Sequence, residues 1–452
     1  MEASEHRRWI GTRRGRVAVG LAASAITVFV VRVVLDAVGE PTAIATAPLA
    51  NPSPAVVTPA SSAGSASAPE AAVVSQSPPA DDEVQMCGGA WVKLGADGQV
   101  AKEEAEAFER RAIEATRAPT LAAMEASGDE RAQAAAHFLQ GVGASFSSKG
   151  CEAGDACVQS ADARQQAAEP HRAALARLAQ GSTDPQVYAW AYQACRQSEP
   201  RAPGSCQLVN VEQWARLDPS NAMPWLTIAG EAEKRHDSTA LDDAMFHVAS
   251  AERMDTRWGT LPSILVDHVP PGEAHLLGAL YLEVEAIGVD AAIPIDYFTA
   301  TKYCGANGLV DANRRETCTR VAELLIDRST TLLERNIGTS MAKRLGWPAE
   351  RIQSIEEERD ALFNAFPHEM SQVDGSHGCE NVRRELERIH DVARYGEIGS
   401  LRRTIEASGR PVKLLAANYR EALAERQEKA RQEEVAASAA PAPYSASAPP
   451  TR

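Results

Sequence analysis

Residues 218–255 read DPSNAMPWLTIAGEAEKRHDSTALDDAMFHVASAERMD, and their spacing decides the fold class. Trp225, Ile228, Ala229 and Ala232 recur at three- and four-residue intervals, the period of one face of an α-helix. After a break near Asp237, Leu241, Ala244, Val248 and Ala251 repeat the pattern. Small side chains fall where two helices have to approach. The segment therefore reads as a helical hairpin with two facing apolar stripes.

The same signature extends outward. The body, residues 86–434, is rich in Ala, Leu, Glu, Arg and Gln, which favour helix over strand. Val321, Leu324, Leu325, Leu332 and Leu333 share a helical period, so Val321–Arg335 reads as one helix. Ile355, Leu362 and Phe366 mark another. Pro203-Gly204, Pro219, Pro270-Pro271-Gly272, Pro348 and Gly375 punctuate the segments between. The expectation is an all-α array of helical hairpins, with roughly 13–16 helices and almost no sheet.

Two resemblances refine this reading. Residues 218–255 resemble a tetratricopeptide-type hairpin: Asp218-Pro219 followed by Asn221 stands at the repeat boundary and caps the first helix. His236 departs from that pattern, which prefers glycine there. The body is also similar to uncharacterised, alanine-rich envelope proteins of proteobacteria, in its WLTIAGEA helix and in IGTSMAKRLGWPAERIQSIEEE at 337–358. This resemblance implies topology and fold and brings no activity.

Address comes from the N-terminal part. Residues 17–38, VAVGLAASAITVFVVRVVLDAV, are mainly apolar, and a bilayer crossing needs roughly 20 such residues. Arg7, Arg8, Arg13, Arg14 and Arg16 precede them, so residues 1–16 form a basic cytoplasmic tail under the positive-inside rule. The reading is a single-pass bacterial inner-membrane protein, N-terminus inside, with its large domain in the periplasm. Cleavage near Ala45 or Ala47, giving a freely diffusing form, is the alternative. Residues 39–85 carry eight prolines among Ala, Ser and Thr with no aromatic residue, the composition of a disordered linker. Residues 435–452 return to it, and Asn418–Glu434 reads as a solvated helix that outruns the core. A net charge of −15 opposes nucleic-acid binding, which relies on basic side chains.

The eight cysteines all follow residue 38, where disulfides persist in an oxidising compartment. Eight cysteines allow about a hundred pairings. Local spacing prefers Cys195 with Cys206 across a Pro/Gly turn, Cys304 with Cys318, and Cys151 with Cys157. Elimination leaves Cys87 with Cys379. These spacings do not match the close pairs of zinc sites.

Chemistry is thin. GxSxG, HExxH, P-loop and GxGxxG motifs are all absent from the sequence. Ser340-x-x-Lys343 matches a penicillin-binding-protein nucleophile motif but lacks its companions SDN and KTG. Glu387-x-x-His390 matches half of a di-iron pattern. His368-Glu369 and His377-Gly-Cys379 read as loop and cap residues. Asp81-Asp82 and Asp242-Asp243 read as solvated carboxylates, and Trp190, Trp214, Trp225 and Trp258 as core. The sequence assigns no catalytic residue, cofactor or metal. The expected role is protein–protein interaction or scaffolding with an unidentified envelope protein; an envelope hydrolase acting on cell wall or peptides, with its site gathered from separate helices, is the alternative.

Overall fold

The computed structural model describes residues 83–88, 91–93, 102–146, 155–196, 204–371 apart from 292 and 294, and 378–439. Fifteen α-helices carry almost all of them: α1 (Lys102–Ala126), α2 (Glu130–Phe146), α3 (Asp155–Gly181), α4 (Pro185–Arg196), α5 (Val211–Leu217), α6 (Ala222–Lys234), α7 (Ser238–Ser250), α8 (Thr260–Val266), α9 (Glu273–Ala291), α10 (Tyr297–Tyr303), α11 (Ala312–Asp327), α12 (Leu332–Leu345), α13 (Ala349–Ser371), α14 (Cys379–Ser408) and α15 (Val412–Ala439). Strands β1 (Glu83–Gln85) and β2 (Trp91–Lys93) pair antiparallel with Val84 opposite Val92. The described protein is all-α apart from this ribbon. The chain divides into two compact units: Met1–Gln85 with Ala90–Ala105, which holds the ribbon, and Met86–Gly89 with Glu106–Arg452, which holds nearly every helix.

Helix starts follow from short polar side chains that accept otherwise unpaired backbone N–H groups. Asn221 accepts from Met223 N at 3.2 Å and Asp237 from Ala240 N at 3.0 Å, which delimits α6 and α7. Asp311 does the same for α11, accepting from Arg314 N at 2.9 Å. His236, in the turn between α6 and α7, takes a φ of 57°. That left-handed conformation is the one glycine adopts without cost.

In the larger unit neighbouring helices pair: α2 with α3, α6 with α7, α11 with α12, and α13 with α15, while α7 also packs on α11. Ala229, Ala244 and Val248 lie in the main core, Ala232 is also buried, and Trp225, Ile228, Leu241 and Ala251 pack against that core from its rim. Phe138 stacks on Trp190 at 5.9 Å and Tyr192 tilts against Trp214 in the same core. Each fully buried side chain of this size contributes about 1.5–3 kcal/mol. A second cluster, centred on Ala361, Leu362, Leu401 and Ala416, joins α13, α14 and α15.

Several boundaries differ from the sequence reading. Val321–Arg335 is two helices, because Thr331 and Glu334 form a reciprocal capping box that starts α12 anew. The Thr-x-x-Glu signal for it was in the sequence. Residues 83–85, read as linker, form β1, and the terminal helix continues through 435–439. His368 and Glu369 fall within α13 rather than in an irregular segment. Helix α14 breaks at Gly396, whose φ of 72° and ψ of 166° need a residue without a Cβ.

Three disulfides brace the larger unit. Cys195–Cys206 ties the end of α4 to a short 3-10 turn, and Cys304–Cys318 ties the end of α10 to α11. Cys87–Cys379 spans 292 positions and fastens the Met86–Gly89 segment to the start of α14. Cys151 and the Cys157 side chain lie outside the described residues. So do the proposed anchor at 17–38, the tail before it, the rest of the linker, Asp81-Asp82, His377 and residues 440–452. Among the described residues no helix is long and apolar enough to cross a membrane.

Candidate functional site

Helix α9 reads EAHLLGALYLEVEAIGVDA, an apolar run that holds two mid-helix glutamates. Glu285 reaches Arg117 of α1 in a partly exposed ion pair. Glu283 has 0 % exposure. Gly278 lets α9 lie close to α1: a Cβ there would stand 2.2 Å from the Thr116 hydroxyl and 2.4 Å from the Ala112 carbonyl oxygen. Helix α14 also packs on α9 and brings His390 Nε2 to 3.7 Å from Glu283 Oε1. That separation is an ion-pair distance and is longer than a hydrogen bond. Both Glu283 oxygens and His390 Nε2 are buried without a hydrogen-bond partner among the described residues.

Burial pushes the Glu283 carboxyl up to about 7; His390 opposes this and nearby Glu385 adds to it. His390 is raised, chiefly by Glu283, against the lowering effect of its own burial. A carboxyl held up to about 7 and a histidine raised above its ordinary value therefore face each other across a helix interface. An arrangement of this kind can hold a shared proton or hand one on, and the protonation steps belong to the pair.

The other deeply buried carboxyls have structural partners. Asp290 accepts from the backbone N–H of Gly259 at 3.2 Å and also from Leu261, at the start of α8. Glu334 accepts from the Tyr297 hydroxyl at 2.7 Å and from the N–H groups of Thr330 and Thr331. Glu397, placed by the break at Gly396, accepts from Leu332 N at 2.8 Å. All three are pushed up to about 7 by burial, yet each caps a helix. Glu283 caps none.

The sequence candidates separate from one another in space. Ser340 and Lys343 share helix α12, but Lys343 Nζ pairs with Glu356 at 2.5 Å. Glu387 and His390 share α14, and His390 is turned toward Glu283 instead of completing a motif with Glu387. Asp242 pairs with Arg314 at 3.0 Å, and Asp243 is exposed. Trp190 and Trp214 are buried, while Trp225 and Trp258 are only partly so; Trp225 stacks on His247 at 4.0 Å. Cys379 is committed to its disulfide.

Sequence reading missed Glu283, although a glutamate amid LLGALYL is a usable signal for a buried charge. It also missed a second cluster, Glu125 with His137 and His171, in which donor atoms from α1, α2 and α3 lie within 4.8 Å of one another. Those residues come from three helices and no local spacing reports them. No protein-family model, curated protein or solved structure matches this chain.

Proposed function

We propose that the protein is a single-pass, inner-membrane-anchored component of the bacterial envelope whose helical body, on the periplasmic side, binds a partner protein and performs no catalysis of its own. The apolar segment 17–38 with its arginine flank supports the anchor, and the Pro/Ala/Ser-rich stretch after it supports a tether. Cystine bracing suits an oxidising compartment. The successive helical pairs, α6–α7 among them, fit a partly tetratricopeptide-like hairpin array of the kind that presents side chains to partners.

One observation carries the binding role. Asp242 of α7, Tyr303 of α10 and Arg314 of α11 meet in a knot, with the Arg314 guanidinium 3.0 Å from Asp242 and 4.9 Å from the centre of the Tyr303 ring. Phe246 of α7, Phe298 of α10 and Val310, just before α11, are exposed by 58 %, 66 % and 87 %. Exposed aromatic and aliphatic side chains carried by packed helices are of the kind that protein-binding surfaces enrich. The hydrolase reading draws on Glu283 and His390, but a carboxyl with no exposed surface cannot meet a substrate without opening the α9–α14 interface.

The test places a photocrosslinking amino acid at Phe246 or Phe298 in living cells, with Glu316 as the exposed control position. The expected result is a reproducible envelope protein joined from the two apolar positions and absent from the control. No such product, or equal products from all three positions, overturns the proposal.

A further inference from the structure

We propose that Glu125, His137 and His171 form a binding site for a divalent transition-metal ion of the zinc class, with one coordination position open to solvent. Helix α1 supplies the carboxylate, α2 and α3 one imidazole each. The Nδ1 atoms of His137 and His171 are 3.4 Å apart. Two imidazole nitrogens bound to one tetrahedral zinc at 2.0–2.1 Å stand about 3.3 Å apart. Glu125 Oε1 is 3.8 Å from His137 Nδ1. The three donor atoms lie within 4.8 Å of one another, so the partly solvated Glu125 carboxylate has to move inward by up to about 1.5 Å to complete a tetrahedral set.

The surroundings are those of a supported site. Gln140 Nε2 donates to Glu125 Oε1 at 2.7 Å and orients the carboxylate, the kind of outer contact that tunes metal ligands. Burial lowers the pKa of both imidazoles, with Glu125 raising both and with His171 and Arg177 lowering that of His137. An open depression of about 330 Å³, lined by Glu125, Gln133, His137, Ala174, Arg177 and Leu178, leads to the cluster. Arg177 is the unfavourable element for a bare cation and a favourable one for an anionic fourth ligand.

The alternative is a plain hydrogen bond between two neutral imidazoles, which the 3.4 Å separation also permits. Binding separates the two. The full chain, purified in mild detergent with a tag that carries no histidine and stripped with EDTA, is titrated with ZnCl₂ by calorimetry and with Co²⁺ by visible absorption. One equivalent of zinc and a tetrahedral Co²⁺ band are expected. His137→Gln and His171→Gln each weaken zinc binding at least ~10-fold, and Gln140→Leu weakens it by about 10-fold; His268→Gln leaves it unchanged. Histidine acylation read by mass spectrometry needs no variant: zinc protects His137 and His171 and does not protect His268. Equal zinc affinity in a folded His137→Gln/His171→Gln protein, or equal acylation of the two histidines with and without zinc, overturns the site.

Discussion

Replacing Glu283 with glutamine tests the buried pair most sharply. Burial raises this carboxyl from 4.5 to about 7. A raised folded-state pKa means that the native protein holds the proton more tightly than the unfolded chain. Its contribution to stability is then complete below about pH 4.5 and is lost as pH rises through about 7. A rise from 4.5 to about 7 corresponds to roughly 3 kcal/mol between those limits. His390 is raised as well, so its contribution also fades with rising pH and the two slopes share a sign. Glutamine removes the titration and, with it, the influence on His390. Urea unfolding followed by circular dichroism from pH 4.5 to 8 measures the difference between wild type and Glu283→Gln. Asp290, Glu334 and Glu397 remain in both proteins, so their pH dependence cancels. Relative to the variant, the wild type should lose on the order of 3 kcal/mol across this range. Parallel stability curves would refute the reasoning, because a carboxyl that titrates normally leaves no differential slope.

Three further substitutions address the fold. Gly278→Ala puts a methyl group within 2.4 Å of both the Thr116 hydroxyl and the Ala112 carbonyl, and the forced separation of α9 from α1 should cost about 1–3 kcal/mol or more in urea unfolding. His236→Gly removes a left-handed histidine at φ 57°; relief of about 1–2 kcal/mol in the native state, less the entropy of a new glycine, leaves a gain of about 1 kcal/mol or less. Cys304→Ser/Cys318→Ser opens a bridge with a sequence separation of 14 and should lower stability by about 3 kcal/mol under non-reducing conditions, with little further loss on adding reductant to this variant from that bridge.

The all-α architecture was legible because helical periodicity is a local property: the stripes at Trp225–Ala232 and Leu241–Ala251 sit on α6 and α7 against one core. Boundaries failed where one polar side chain outweighs the apolar period, as at Thr331, whose capping box splits a continuous leucine pattern into α11 and α12. The chemistry was less legible. Motif searching led to His390 through Glu387, three positions away, whereas the meaningful partner is Glu283 on another helix, brought there by the packing of α9 on α14. Glu125, His137 and His171 converge in the same way from three helices. Tertiary packing sets these distances, and a one-dimensional pattern contains no term for it.

The proposed function requires the body to lie outside the inner membrane in oxidising surroundings. Alkaline phosphatase, which folds only when exported, fused after Arg452 and expressed in bacteria from the full chain, tests this directly. The prediction is an active phosphatase held in the membrane fraction. An inactive phosphatase paired with an active β-galactosidase at the same junction would contradict it.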